Sequence, residues 1–167
     1  MSTLEEAFDG LRHLATRIEV LPFFAIPEEA AAVAASIDGA APQLGFLSEW
    51  HEYLTESSEA GMVHRRLRLV TVPPTDYEKF EIRWAYPANA QRGEHIRLMP
   101  RDAAPAAVRD VWLFDEDEAI ELLYDQSGSY VGERRLPLDE ATPLRRWIST
   151  AWDAATELTE FDMDYER

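Results

Sequence analysis

Gly93-Glu-His-Ile-Arg-Leu-Met-Pro-Arg101 and Asp110-Val-Trp-Leu-Phe-Asp115 decide the fold. Both are short apolar strings. The second runs through Glu116 and Asp117 into Ala119-Ile-Glu-Leu-Leu-Tyr124, then through Asp125-Gln-Ser-Gly128 into Ser129-Tyr-Val-Gly-Glu-Arg-Arg-Leu136. β-branched and aromatic runs punctuated this closely by Asp, Ser and Gly are too short for helices, so the spacing predicts an antiparallel meander.

Upstream, the stretch Met62 to Val72 alternates. Val63, Leu67 and Leu69 fall on one face and His64, Arg66 and Arg68 on the other, which predicts a strand with a polar face ended by Pro73 and Pro74. Further out the period becomes helical. Ser2-Thr3-Leu-Glu-Glu6 reads as a capping box with Thr3 as the cap and Glu6 reaching back. It opens a helix whose stripe of Leu4, Ala7, Phe8, Leu11, Leu14, Ala15 and Ile18 runs on until Pro22. An apolar connector, Leu21 to Pro27, is expected to lie on the core. A second helix starts at Pro27 and stops at Gly39. A third spans about Phe46 to Ala60, with Phe46, Leu47, Trp50, Tyr53 and Leu54 inward and Gly61 as the left-handed residue beyond its end.

Thr75 is placed to cap a fourth helix with Tyr77, Phe80, Glu81 and Trp84 on one side. The last helix starts near Asp139 or Thr142 and carries Leu144, Trp147, Ile148, Ala151, Trp152 and Ala155, and the acidic tail is expected to fray after Leu158. These elements predict a single α+β domain over residues 1–167, with a helical portion (1–61), a sheet-forming portion with its closing helix (62–158) and an acidic tail (159–167). The N-terminal helices and the closing helix are expected to cover one side of a mainly antiparallel sheet whose strands lie near 62–72, 94–99, 111–115, 118–124 and 129–136.

Composition removes several function classes. Against 16 basic residues stand 32 acidic ones, a net charge of −16, which reverses any general attraction to nucleic-acid phosphates or an anionic membrane. A basic protein partner is favoured instead. With no cysteine there is no disulfide, thiolate nucleophile or Cys-ligated metal, in keeping with a reducing compartment. No apolar run approaches the roughly 20 residues of a membrane span, and the start lacks the basic residues of a signal peptide, so a soluble cytoplasmic protein is expected. Gly-rich phosphate loops, Gly-x-Ser-x-Gly elbows and His-Glu-x-x-His zinc sites are absent, which disfavours serine, cysteine and zinc hydrolases. No cofactor and no metal are expected: Asp115, Glu116 and Asp117 read as a solvated hairpin turn rather than a cation site.

The arginines carry the candidate chemistry. Arg65, Arg66, Arg68, Arg97 and Arg101 converge if their two strands pair, and guanidinium forks hold carboxylates or phosphates bidentately. Tyr77 can donate a hydrogen bond, Glu81 and Glu94 can act as acid and base or pair with the arginines, and Trp84 and Trp112 can wall a pocket. The candidate ligand-binding set is therefore Arg66, Arg68, Tyr77, Glu81, Trp84, Glu94, Arg97, Arg101 and Trp112.

Arg65-Arg66-Leu-Arg68, Asp76-Tyr77, Gly93-Glu94-His-Ile-Arg97-Leu-Met-Pro-Arg101, Val111-Trp112-Leu-Phe-Asp115, Gly128, Gly132 and the closing Trp152 together resemble an uncharacterised actinobacterial domain family, over roughly Phe46 to Ala155. Genes of that family often lie beside helix-turn-helix regulators, which implies a non-enzymatic regulatory or accessory protein that binds a partner protein of that DNA-binding type. The alternative is a small-molecule-binding protein or enzyme acting on an anionic, phosphorylated or carboxylated substrate. His95, Arg97 and Asp102 are similar in spacing to the phospholipase D signature, with arginine in the place of lysine, and imply a histidine nucleophile attacking phosphorus with a cation on the phosphoryl oxygens. That chemistry needs a second copy of the motif. None is present: His13, His51 and His64 lack the companion residues, so the likeness is to degenerate, non-catalytic domains of that type.

Overall fold

The structure, a computed structural model, describes residues 2–163. Helix α1 (Thr3–Asp9) is capped by Ser2, whose hydroxyl accepts from the Glu5 amide at 3.2 Å while its own amide donates to the Glu5 carboxylate at 2.6 Å. The capping box thus sits one residue earlier than Thr3 and Glu6. More consequentially, α1 stops at Gly10, and the residues expected to prolong it form strand β1 (Leu14–Glu19) in the middle of the sheet. Every residue from Ala15 to Glu19 is buried. A strand covered on both faces shows no alternation, so the helical spacing of Leu11, Ala15 and Ile18 was coincidental: Leu11 and Ala15 join one core and Ile18 another.

Beyond a one-turn helix at Pro27–Glu29 comes α2 (Ala30–Ile37), then α3 (Ser48–Glu59), with Gly61 at φ +88° just past it as its spacing predicts. β2 (Val63–Val70) is next. Thr75 caps α4 (Asp76–Phe80), a π-helical turn (Glu81–Ala85) leads into α5 (Tyr86–Ala90), and β3 (Glu94–Pro100) completes this half. β4 (Val111–Phe114), β5 (Glu118–Tyr124) and β6 (Tyr130–Arg135) form the expected meander, closed by α6 (Leu138–Ala154) and the short β7 (Thr156–Glu157).

Among the described residues the sheet has seven strands in the order β6-β5-β4-β1-β2-β3-β7. β1 with β2 and β2 with β3 run parallel, and the other four pairings are antiparallel, so the α+β, mostly antiparallel expectation holds. Parallel neighbours need crossovers, which α2–α3 and α4–α5 supply. The helical cover, however, is two-sided rather than one-sided. Ala7, Leu11 and Trp50 pack on Ala15, Trp112, Phe114, Ile120 and Leu122, whereas Ala141, Leu144, Ile148 and Ala151 of α6 pack on Ile18, Leu67, Leu69, Val111 and Leu113. Alternate residues of a strand point to opposite faces, and these central strands carry large apolar groups on both. Leu158, Phe161 and Met163 pack against the cluster of Val70, Ile82 and Tyr86, so the tail does not fray at Leu158; residues 164–167 lie outside the described region.

One glycine is required by close approach. Gly128, at φ +82°, accepts the Ala25 amide at 2.9 Å, and a Cβ there would sit 2.9 Å from the Phe23 carbonyl oxygen. Gly128→Ala is expected to lose about 1–3 kcal/mol through backbone strain. Chemical denaturation checks this; a loss under about 0.5 kcal/mol would mean that the connector Leu21 to Pro27 is not pinned there.

Candidate functional site

The polar face of β2 lies inside the protein. His64 and Arg68 are fully buried, and Arg66 keeps only 13% of its side chain exposed. Register places Arg17 beside Arg66 and Glu19 beside Arg68 on β1, and His64 beside Glu94 and Arg66 beside Ile96 on β3. Between this face and the helical cover lies a cavity of about 300 Å³. Arg17, Glu19 and Arg66 form its floor, with Trp112, Leu122 and Tyr124 from the meander. Phe8, Phe24, Phe46, Trp50 and Tyr77 supply aromatic walls, and Glu29, Glu81, Tyr86 and Asn89 add polar atoms. Glu81 and Tyr86 reach it because the π-helical turn sets them five residues apart across one hydrogen-bonded ring, with the Tyr86 amide on the Glu81 carbonyl. π-helical turns recur at functional sites.

Most of the cations here are already engaged. Arg66 grips Glu94 through Nε at 2.7 Å and Nη2 at 3.3 Å, and its Nη1 binds Glu19. Arg17 is held by Asp110 at 3.4 Å and by the carbonyls of Ile18 and Val111. Fully buried Arg68 donates Nη2 to Glu81 at 2.8 Å. The Tyr86 hydroxyl stands 3.0 Å from Glu19 and 2.8 Å from Glu81. A single hydroxyl hydrogen cannot serve two carboxylates fully. The geometry closes if Glu81 carries a proton and donates it to the Tyr86 oxygen, while Tyr86 donates to Glu19.

The electrostatics agree with that arrangement. Burial pushes the Glu81 carboxyl up, with Arg68 opposing and Glu19 adding to the rise. Burial resists ionisation of Glu19 as well, but Arg66, Arg17 and Arg68 outweigh it and hold that carboxyl at about 2. Glu29 has no cation within ion-pair distance among the described residues. Burial lifts it to about 7, although the Tyr77 hydroxyl donates to it at 2.9 Å. The Trp50 indole N–H is buried without a partner among the described residues. His64 is lowered to about 4 by burial, a neutral imidazole that meets the Tyr53 hydroxyl at 3.0 Å. The cavity therefore offers acceptors and a carboxyl able to exchange a proton near neutral pH.

Of the sequence-derived candidates, Arg66, Tyr77, Glu81 and Trp112 line this cavity. Arg68 and Glu94 lie in its buried charge network. Trp84 turns instead into a cluster with Ala32, Phe80 and Ala85. Arg101 stands in the turn after β3, with Nε and Nη2 buried and unpartnered among the described residues. Arg65 and Arg97 point to the opposite face, so the five arginines do not converge. His95 and Arg97 share a groove there with Trp152, and Asp102, beyond the far end of β3, is not among the residues lining it. Sequence reasoning missed Arg17, Glu19, Glu29 and Tyr86. The two β-branched residues Thr16 and Ile18 were the available strand signal for the first two.

A family model described as a domain of unknown function (DUF6879) matches residues 2–163. The chain belongs to that family. The match takes in α1, β1 and α2, which the resemblance over Phe46 to Ala155 did not reach. No curated protein and no solved structure matches the chain. Among the described residues no helix is long and apolar enough to cross a membrane, and no group of His, Asp and Glu is arranged to hold a metal ion.

Proposed function

We propose that this domain binds a small molecule whose planar or apolar body lies against the aromatic walls and whose amino or amidino head meets Glu29 and Glu19. The observation that carries this reading is the spare hydrogen-bonding capacity of the cavity: Arg17 and Arg66 are engaged, whereas Glu29 faces it with, among the described residues, only a tyrosine hydroxyl as partner. Aromatic walls with a few convergent polar groups suit small-molecule recognition, and a carboxylate beside aromatic faces suits an organic cation. Such a ligand would hold Glu29 ionised, so binding would release a proton and tighten as pH rises towards 7.

Tryptophan fluorescence, reporting Trp50 and Trp112, tests this with benzamidine and adenine as probes. Saturable quenching is expected, weakened by Glu29→Gln at least about tenfold. Absence of quenching by either probe, or equal affinity in the Glu29→Gln protein, would sink the proposal.

A second reading is supported by an apolar groove along α2, where Phe23 is 49% and Ile37 57% exposed beside Ile26 and Val33. Together with the net charge of −16 it supports docking of a basic partner protein, of which a helix-turn-helix regulator is the proposed type. Ile37→Glu is expected to abolish co-purification with such a regulator, and unchanged co-purification would remove this reading.

A further inference from the structure

On the α6 side of the sheet, at the starts of the parallel strands, lies a second concavity of about 520 Å³. Its charge runs against that of the protein. His13, Arg65, His95 and Arg97 line it, and the carboxylate that lines it, Glu157, is bound to Arg97 at 2.8 Å. Asp153 stands 4.0 Å from the same Arg97 and is largely exposed. Arg97 is therefore spent. Arg65 is not: among the described residues it forms no ion pair, and its hydrogen bond runs from Nε to Thr16 Oγ1 at 2.8 Å. That bond to a buried threonine fixes the guanidinium, which also lies over the Trp152 ring at 4.9 Å. Both Nη groups remain available.

Register puts the rest in place. Thr16 pairs with Arg65 and Arg65 with His95, one row across three adjacent strands, with side chains on a common face. His13 precedes β1 at the same end. We infer that this groove is a binding site for a small phosphate-bearing anion, held by the Arg65 fork and the His13 and His95 rings. A planar carboxylate is satisfied by one guanidinium fork, whereas a tetrahedral phosphate has further oxygens for the two imidazoles to reach. The net charge of −16 repels polyanions such as nucleic acid, so the occupant is a small mobile molecule. The site is separate from the cavity on the other face and does not depend on what that cavity binds.

The test uses the full chain and inorganic phosphate, with chloride at matched ionic strength as the control. Histidine ring resonances followed by NMR are expected to shift saturably at His13 and His95 while His51, on the opposite side, stays put, with a dissociation constant of about 1 mM or below. Arg65→Gln should weaken binding at least about tenfold, and His95→Gln, at an exposed position that leaves the fold intact, about threefold. Shifts no larger than those with chloride, or the same affinity in His95→Gln and Arg65→Gln, would overturn the inference. A short single-stranded oligonucleotide forms the other arm. Tighter binding than phosphate would overturn the small-anion assignment in favour of a polymer.

Discussion

Exchanging Arg66 for methionine is expected to cost about 3–5 kcal/mol of folding stability, whereas the same exchange at fully buried Arg68 should cost about 1 kcal/mol or less. The difference lies in what each arginine leaves behind. Arg66 neutralises two buried carboxylates, Glu19 and Glu94, and Glu19 is held ionised chiefly by Arg66. Removing the guanidinium strands both. Arg68 faces Glu81, which burial already drives towards its neutral form and which retains Tyr86 as a partner. Its loss also removes two buried nitrogens, Nε and Nη1, that have no hydrogen-bond acceptor among the described residues. An apolar side chain of similar volume can replace such a group with little penalty. Urea denaturation with unchanged m-values reads both effects. Adding Glu94→Gln to Arg66→Met should restore about 1–2 kcal/mol, since one stranded charge is then removed. Equal losses at Arg66 and Arg68 would mean that Glu81 is ionised and that it does not donate a hydrogen bond to Tyr86.

What the sequence disclosed depended on how many faces of an element are buried. The meander from Val111 to Arg135 was legible because its strands are short and separated by turn residues. β2 was legible as a strand because His64, Arg66 and Arg68 alternate with Leu67 and Leu69, but nothing in that pattern told that its polar face is interior. Alternation reports which residues share a face and not which face meets water. β1 had no alternation to offer, so Arg17 and Glu19 were hidden inside a false helical stripe. Glu29 looked like an ordinary first-turn acid of a helix, and its place in the cavity beside the Tyr77 hydroxyl is set by tertiary packing. The extra residue of the π-helical turn rotates the residues beyond it by about 100° around the axis, one residue of helix. That rotation brings Tyr86 into the cavity, while Trp84, inside the turn, packs with Ala32, Phe80 and Ala85. The separation of His95 from Asp102 is simpler. A strand advances about 3.3 Å per residue, so a motif spread along β3 and its adjoining turn cannot gather at one point.

Glu29 should also make stability fall as pH rises through weak acidity. Its carboxyl is lifted from 4.5 to about 7 in the folded chain, first by burial, with Tyr77 only partly offsetting it. Between those values the folded state holds a proton that the unfolded state has released, so unfolding gains in favour with each step up in pH. A shift of this size corresponds to about 3 kcal/mol for a fully enclosed group, and about 2 kcal/mol is expected because Glu29 retains some contact with solvent. Glu19 acts in the opposite sense and elsewhere: its stabilisation is complete above 4.5 and fades as pH drops towards about 2. Subtracting the pH profile of Glu29→Gln from that of the wild type isolates the first effect. The difference should decline between pH 4.5 and about 7 and stay level above it. A flat difference would mean that Glu29 is ionised throughout, and then no proton would be released when an amine enters. With benzamidine bound, the same decline should shrink, because the ligand's charge stabilises the carboxylate that the empty cavity penalises.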